Sequence, residues 1–175
     1  ARIEQACEKA NRDPSEVRLL AASKSVSSTR IIEAMEAGQQ LFGESRAQAL
    51  RDKSQEFGEG GPLPEWHFIG HLQRNKIKYL VGRVSLIHTI DRIELAQAIS
   101  QRIQARAELE PMPILVEVNL GSEWSKSGVE PEHALALCQA LANLPGISLQ
   151  GLMAIPPWTA DPEGSTPYFE RLANL

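Results

Sequence analysis

The sequence predicts an α/β fold in which helices cover a parallel β-sheet. Two observations carry this prediction. After an N-terminal helix, apolar strand-like segments alternate with amphipathic helical segments in six strand–helix units along the 175 residues. No tight-turn signal of a β-hairpin joins neighbouring strands. Strands that are apolar throughout and separated by helices are typical of parallel sheets that are buried on both faces.

The first half of the chain contains three of the predicted strands. Its second helix shows all the expected signals, since serines precede it, an apolar stripe follows one face, and Gly38 ends it. The predicted elements are a helix at 3–10, a strand at 17–23, a helix at 27–38, a strand at 40–45, a helix at 47–57, a strand at 66–70 and a short helix at 74–82.

The second half repeats the alternation. Asp91 and Glu94 have the spacing of a capping box, which predicts the start of a long helix ending near Ala107. Pro131 suits the first turn of the next helix. The predicted elements are a strand at 84–90, the helix that begins at 91, a strand at 113–119, a helix at 131–141, a strand at 147–155 and a helix that starts at 166.

Two architectures fit six such units, a (β/α)₈ barrel and a doubly wound open sheet. A typical barrel has about 250 residues, and two further units of this length would bring the chain to about 225. We therefore expect residues 1–175 to form one barrel domain without its strands 7 and 8. We also expect the functional protein to continue beyond Leu175 by roughly fifty residues. The open sheet remains the structural alternative.

Composition argues against several classes of function. A net charge of −4 with interspersed signs argues against binding to nucleic acid, and no apolar run reaches the ~20 residues that span a bilayer. The cysteines, Cys7 and Cys138, have no metal-ligand spacing and indicate a reducing, cytoplasmic environment. His67 and His71 would lie roughly 13 Å apart along a strand, which argues against a metal site.

The carboxyl ends of the strands are where a parallel α/β fold places its functional residues. Lys24 ends the first apolar segment, "VRLLAASK". One interpretation is a lysine whose stem packs on the strand while its amine reaches solvent or Glu44. The other is a desolvated, nucleophilic lysine that forms a Schiff base with a carbonyl compound. Spacing alone does not decide between them. Polar or special residues end the other strands as well: Ser45, Gly70, His71, Asp91, Asn119 and 153–156.

Six motifs in a fixed order resemble one known family: "LLAASK", "LFGES", "EWHFIGHLQRNK", "HTID", "VNLGSEWSKSG" and "GLMAIPP". The chain resembles the YggS/PROSC family of pyridoxal phosphate (PLP) homeostasis proteins, and in particular its PipY-like cyanobacterial members. The match runs from about Ser15 to Pro157, and the motif at 65–76 is the most specific part.

The resemblance implies a barrel like the N-terminal domain of alanine racemase. It also implies PLP held as an internal aldimine on Lys24, with no established catalytic turnover. We expect Met153 to pack against the cofactor, and Ser45, His67 and Asn119 to line the same mouth. The expected partners are PLP itself and PLP-dependent apoenzymes, and we expect a monomer.

Two departures from the family pattern concern the cofactor. Ser45 stands where the family usually has asparagine, so a hydrogen bond beside the ring would be shortened or lost. The family's "LSMGMS" and "VRIG" strands are not in this sequence, and the resemblance implies that these supply the phosphate site and an arginine at the pyridine nitrogen. The expected continuation of the chain would carry both.

Three other functions compete with PLP homeostasis. A racemase- or decarboxylase-type PLP enzyme would need a second acid/base group, yet neither tyrosine follows a predicted strand. A lysine aldolase would need a proton-shuttling neighbour of Lys24, for which Glu44 is the candidate. An interaction protein that has lost the cofactor is the last alternative. Lys126, in a Gly/Ser-rich segment, predicts only a flexible loop at the rim.

Overall fold

The computed structural model describes residues 2–57, 62–121 and 127–175. Six parallel strands form one sheet in the order β1-β2-β3-β4-β5-β6. The strands are β1 Ala21–Ala22, β2 Leu41–Glu44, β3 Glu65–Phe68, β4 Leu86–Ile90, β5 Met112–Glu117 and β6 Ile147–Met153.

Helices follow the strands as the sequence predicts. They are α1 Arg2–Lys9, α2 Ser28–Glu36, α3 Ala47–Glu56, α4 Ile93–Gln104, α5 Pro131–Ala142 and α6 Thr166–Ala173, with short 3₁₀ helices at Pro14–Glu16, Arg74–Tyr79 and Pro162–Ser165. Within the described ranges, no helix is both long enough and apolar enough to cross a membrane.

The strand order decides between the two predicted architectures. Each strand pairs in parallel with the strand that precedes it in the sequence, from β1 to β6. A doubly wound sheet reverses direction at a switch point, whereas a (β/α) barrel adds its strands in sequence. The sequential order confirms the barrel-type α/β prediction, and the open doubly wound alternative is wrong.

The two faces of the sheet carry different residues. Trp66 packs its ring 6.1 Å from the Phe42 ring and 6.0 Å from that of Phe57, at the end of α3. Because side chains alternate along a strand, His67 lies on the face opposite to the helices. Gly43 is its neighbour in register, and a Cβ on Gly43 would lie only 2.6 Å from the Leu20 side chain. That inner face is therefore tightly packed around β2.

The first strand is shorter than predicted. We expected it at 17–23, but only Ala21 and Ala22 pair with β2. The backbone N–H of Val17 donates instead to the carbonyl of Pro14, in the preceding 3₁₀ helix, and the Arg18 guanidinium binds Glu65. A local turn hydrogen bond and a side-chain ion pair thus take the place of the strand-pairing hydrogen bonds that were predicted at the start of β1.

The capping box predicted at Asp91 and Glu94 is also wrong. Helix α4 begins at Ile93, so Arg92 occupies the cap position and makes no side-chain capping bond. Asp91 accepts a hydrogen bond from the Arg92 guanidinium instead. The cap position thus lies one residue later than predicted, so Asp91 is not the residue that caps the helix amides.

Candidate functional site

Lys24 occupies a tight turn that follows β1. The turn spans 23–26 and is closed by a 3.0 Å hydrogen bond from the Val26 N–H to the Ser23 carbonyl. Ser25 has φ +62°, in the left-handed region that β-turns of type II require at their third position. Burial ends at Ser23, and the Lys24 side chain is exposed. Of the two interpretations of Lys24, the structure therefore favours the exposed amine over the desolvated one, because the turn lies outside the packed layer.

Ser23 anchors that turn to the sheet. Its N–H donates to the Gly43 carbonyl at 2.8 Å, and its hydroxyl donates to the same oxygen at 3.1 Å. Its own carbonyl accepts two hydrogen bonds, one from Val26 and one from the Lys53 ammonium at 2.7 Å. The residue before Lys24 is thus fixed by both β2 and α3.

Lys53 is a largely buried charged residue next to the Lys24 turn that the sequence reasoning missed. Its ammonium also lies 2.6 Å from a carboxylate oxygen of Glu44, and the two side chains are 13% and 1% exposed. The other Glu44 oxygen accepts the N–H of Ser45 at 3.1 Å. A signal was present, since Lys53 follows Leu50 by three residues on the buried face of α3.

This ion pair corrects the interpretation of Glu44. The sequence offers Glu44 as a carboxylate that the Lys24 amine could reach and as the candidate proton shuttle of the aldolase alternative. Its buried carboxylate instead binds Lys53, from the helix that packs over β2. The aldolase alternative therefore loses the one acid/base group that the sequence offered it.

Ser45 lies at the end of β2, close to the end of β3. It is half-buried and lines a cavity of about 250 Å³ together with Arg46, His71 and Lys76. Gly70 approaches it so closely that a Cβ there would lie 2.0 Å from the Ser45 carbonyl oxygen. The close contact requires glycine, and it holds these two strand ends together.

Asn119 and Met153 lie at the carboxyl ends of the adjacent strands β5 and β6. Asn119 is buried, and its N–H donates to the Val129 carbonyl at 2.9 Å. Met153 is half-buried, and its carbonyl accepts the N–H of Val118 at 2.8 Å. The two predicted cofactor contacts therefore occupy the same end of adjacent strands, and their contact with PLP stays a prediction.

Glu117 is a second residue that the sequence reasoning missed. It is 5% exposed, and one of its oxygens accepts the Ser127 hydroxyl at 3.0 Å. Its Oε2 has no hydrogen-bond partner in the described part of the chain. Burial raises the pKa of Glu117; the Ser127 hydrogen bond and His71 lower it, while Asp91 raises it further. The signal in the sequence was a carboxylate inside the apolar segment "PILVEVN".

His67 belongs to a cluster deeper in the sheet. Its Nδ1 lies 2.8 Å from His88 Nε2, and its Nε2 lies 3.3 Å from a Glu65 oxygen. Burial lowers the pKa of His67, and burial together with the charge of His67 lowers the pKa of His88 to about 4. Burial acts to raise the pKa of Glu65, but its bonds with Arg18 and His67 outweigh this and lower it. The structure thus brings His67 together with His88 and Glu65, and its predicted contact with PLP stays a prediction.

Two further expectations concern metal binding and the rim loop. Among the described residues, no group of three or more His, Cys, Asp or Glu side chains could hold a metal ion. Lys126 lies outside the described residues, so the predicted rim loop that carries it has no structural account.

Comparison with known proteins matches residues 1–175 to the family model described as "Alanine racemase, N-terminal domain". The chain is 42% identical to the pyridoxal phosphate homeostasis protein of Aquifex aeolicus, over 99% of this chain and 75% of that protein. It is 40% identical to the protein of that name from Pseudomonas aeruginosa, over 100% of this chain and 74% of that protein.

Solved structures give the same grouping. An unknown protein from Bifidobacterium adolescentis is 36% identical, with a TM-score of 0.85 over 99% of this chain and 72% of that one. PipY of Synechococcus elongatus, solved without PLP, is 30% identical, with a TM-score of 0.81 over 98% of this chain and 79% of that one. PipY has also been solved with PLP bound. Because the Bifidobacterium protein matches at least as well, the particular likeness to the cyanobacterial branch stays a prediction.

A more distant protein shares the same fold. Alanine racemase from E. faecalis is 14% identical, with a TM-score of 0.67 over 98% of this chain and 45% of that one. At this identity the likeness shows the fold alone. Sequential strands, the matched domain model and the relatives above agree, and the chain belongs to the family of pyridoxal phosphate homeostasis proteins, built on the alanine racemase N-terminal fold.

Proposed function

We propose that this chain binds pyridoxal 5′-phosphate in intracellular PLP homeostasis, holding it covalently on Lys24 without turning over a substrate. The names of the relatives and the PLP-bound structure of PipY support the ligand. The observation that carries the assignment is the position of Lys24, an exposed primary amine on a fixed turn at the carboxyl end of β1.

The side chains near the strand ends fit this cofactor. PLP supplies an aldehyde whose oxygen is replaced by the amine nitrogen of a lysine and leaves as water. Within the described residues, the Lys24 ammonium makes no ion pair or hydrogen bond, so it has only a proton to lose before it reacts. Ser45 and Asn119 offer polar groups at the same end of the sheet, and Met153 offers a thioether to pack beside an aromatic ring. We retain His67 as a predicted contact as well.

The absence of turnover is supported by the surroundings of the tyrosines. A racemase needs a second acid/base group opposite the lysine. Tyr79 lies in the 3₁₀ helix at Arg74–Tyr79, where Arg51, Lys76 and Lys78 surround its ring, and Tyr168 lies in α6. Neither follows a strand. We therefore expect no racemisation of L-alanine by the PLP-loaded protein.

The test is an absorption spectrum of the PLP-loaded protein before and after borohydride reduction, with mass spectrometry of the labelled peptide. We expect a visible band that reduction abolishes, a label on Lys24, and loss of both in Lys24→Ala. Lys9→Ala, which removes an exposed lysine of α1, is the matched control and should leave both unchanged. A label on Lys126 or elsewhere in Lys24→Ala would overturn the assignment.

We further propose that the protein acts as a cytoplasmic monomer and passes PLP to PLP-dependent apoenzymes. Its net charge of −4 and its free cysteines support this setting. To test transfer, the PLP-loaded protein is mixed with an apoenzyme in the presence of a scavenger of free PLP, and the activation of the apoenzyme is followed. Size-exclusion chromatography measures the mass of the protein. Transfer no faster than from free PLP, or elution as a dimer, would reject the corresponding half of this proposal.

A further inference from the structure

We propose that Lys53 is the positioning residue of Lys24: its ammonium holds the turn that presents the cofactor-binding amine. This inference deepens the proposed function and rests on it. The observation behind it is a single carbonyl oxygen, that of Ser23, which accepts both the turn-closing Val26 N–H at 3.0 Å and the Lys53 ammonium at 2.7 Å.

The position of that carbonyl determines the direction in which Lys24 leaves the strand. Ser23 opens the turn, Lys24 is its second residue, and Ser25 has the left-handed φ of +62°. A serine in this conformation is less stable than a glycine would be, so the turn needs bonds from outside to keep its shape. The N–H and the hydroxyl of Ser23 both donate to the Gly43 carbonyl in β2. The Ser23 carbonyl accepts a bond from outside the turn, that of Lys53 in α3.

Lys53 can donate this bond from a largely buried position because the Glu44 carboxylate balances its charge. Lys53 reaches from α3 between β1 and β2, where its ammonium is held by Glu44 at 2.6 Å with both side chains largely buried. The pair is neutral as a whole, so it adds no net positive charge beside the Lys24 ammonium. The same carboxylate accepts the Ser45 N–H at 3.1 Å. One buried ion pair thus joins the strand ends that carry Lys24 and Ser45.

A purely structural ion pair would stabilise the fold but would leave the chemistry of Lys24 unchanged. A positioning residue must change both the order of the turn and the rate at which Lys24 captures PLP. Misplacing a reacting group by about 1 Å can cost on the order of a hundredfold in rate. These two readouts separate the roles.

The experiment uses the double variant Lys53→Met/Glu44→Gln, which removes the bond to Ser23 without leaving a buried charge unpaired. Two rates are measured: hydrogen exchange of the Val26 N–H without PLP, and capture of PLP trapped by borohydride. We expect both to change by at least about tenfold, exchange becoming faster and capture slower, while the melting temperature stays close to that of the wild type.

Two single variants keep the test decisive if the double variant folds poorly. Lys53→Arg retains the cation and its donors and should recover most of both rates. Glu44→Gln retains the bond from Lys53 to Ser23; it leaves the Lys53 ammonium without its carboxylate and so costs stability, but it should slow capture less than the double variant does. Across the folded variants, PLP capture must slow as Val26 exchange accelerates.

A variant that loses Val26 protection yet captures PLP at the wild-type rate would overturn the proposal, and so would a double variant that changes neither rate. The proposed function fails separately, when the wild type captures no PLP on Lys24. In that case Val26 exchange still decides whether Lys53 orders the turn.

Discussion

Two regions of the sheet bury titratable groups in opposite ways. At the β1–β2 end, Lys53 and Glu44 are buried together as an ion pair with an N–O distance of 2.6 Å. Between β3 and β4, the buried His67 and the half-buried His88 form a pair of like groups 2.8 Å apart, and burial lowers the pKa of both. The first region depends on opposite charges, whereas the second depends on the rings staying neutral.

The difference has a consequence for stability. Removing one member of an ion pair leaves its partner buried and uncompensated, a cost that pH alone does not relieve while that partner stays ionised. A buried neutral histidine pair is sensitive to acid, because protonation places a charge in the packed layer. We therefore expect substitutions to act most strongly at the β1–β2 end and acidification to act at β3–β4.

The largest expected effect is that of Lys53→Met. It leaves the Glu44 carboxylate, 1% exposed, without its cation. We expect the free energy of unfolding to fall by about 3–5 kcal/mol, as for other broken buried pairs. Urea unfolding at pH 7 measures this. The double variant Lys53→Met/Glu44→Gln is the control and should recover most of the loss; equal losses in both variants would mean that the charge pairing is not the cause.

The next effect is acid sensitivity at the histidine pair. Because the folded pKa of His88 is about 4, below its ordinary 6.5, the unfolded state binds more protons in this window. Stability is therefore fully present above about pH 6.5 and falls as the pH drops toward 4. The full shift corresponds to about 3 kcal/mol at most, and partial exposure of the ring to water reduces our expectation to about 2 kcal/mol.

The measurement is the unfolding free energy of wild type and of His88→Gln between pH 4 and 7. Glutamine keeps a polar side chain near His67 but does not titrate. We expect the variant to show a clearly smaller loss of stability on acidification, with the remaining slope due to His67 and the carboxyl groups. An identical pH profile would show that His88 is not the source of the acid sensitivity.

The sequence predicted the sheet better than the groups that it buries. The strands β2 to β6 were predicted because an apolar run is a local property of the sequence and can be recognised without knowing which strands lie beside it. β1 was predicted too long, since the bonds of Val17 to Pro14 and of Arg18 to Glu65 depend on how distant segments meet. The capping box failed for the same reason, because a helix start depends on local bonds such as that of Asp91 to Arg92.

The sequence predicted where the candidate residues lie along the strands but not what they contact, and their role as a site stays a prediction. Strand periodicity places Lys24, Ser45, Asn119 and Met153 at the same edge of the sheet, where the structure has them. Periodicity does not say how deep a terminal residue lies, so the sequence left an exposed and a desolvated Lys24 open, and the structure has it exposed. It also gives no pairing between elements, and so Glu44 was considered as a neighbour of Lys24, whereas α3 supplies Lys53 as its partner.

A smaller effect is expected in the turn at 23–26, which follows β1 and carries Lys24. Ser25 has φ +62°, a conformation that is costly for a β-branched side chain. We expect Ser25→Val to lower the free energy of unfolding by about 1 kcal/mol and Ser25→Gly to change it by less than about half as much. Urea unfolding of the three proteins checks this. A Val variant as stable as the Gly variant would show that the turn adapts to another shape.

The smallest expected effect is that of Lys24→Met on folding, and it sharpens the contrast with Lys53. Lys24 is exposed, whereas Lys53 is 13% exposed and holds Glu44. Since an exposed side chain without a partner contributes little, we expect Lys24→Met to change the unfolding free energy by less than about 0.5 kcal/mol. Urea unfolding without PLP makes the comparison with Lys53→Met direct, because both substitutions remove one ammonium from neighbouring positions. A loss above about 2 kcal/mol would show that Lys24 is bound in the folded protein. Its amine would then have to break that contact before it could react with an aldehyde. A negligible change in the unfolding free energy, together with complete loss of PLP capture, would show that Lys24 reacts with PLP and contributes nothing to folding, in contrast to the Lys53–Glu44 ion pair.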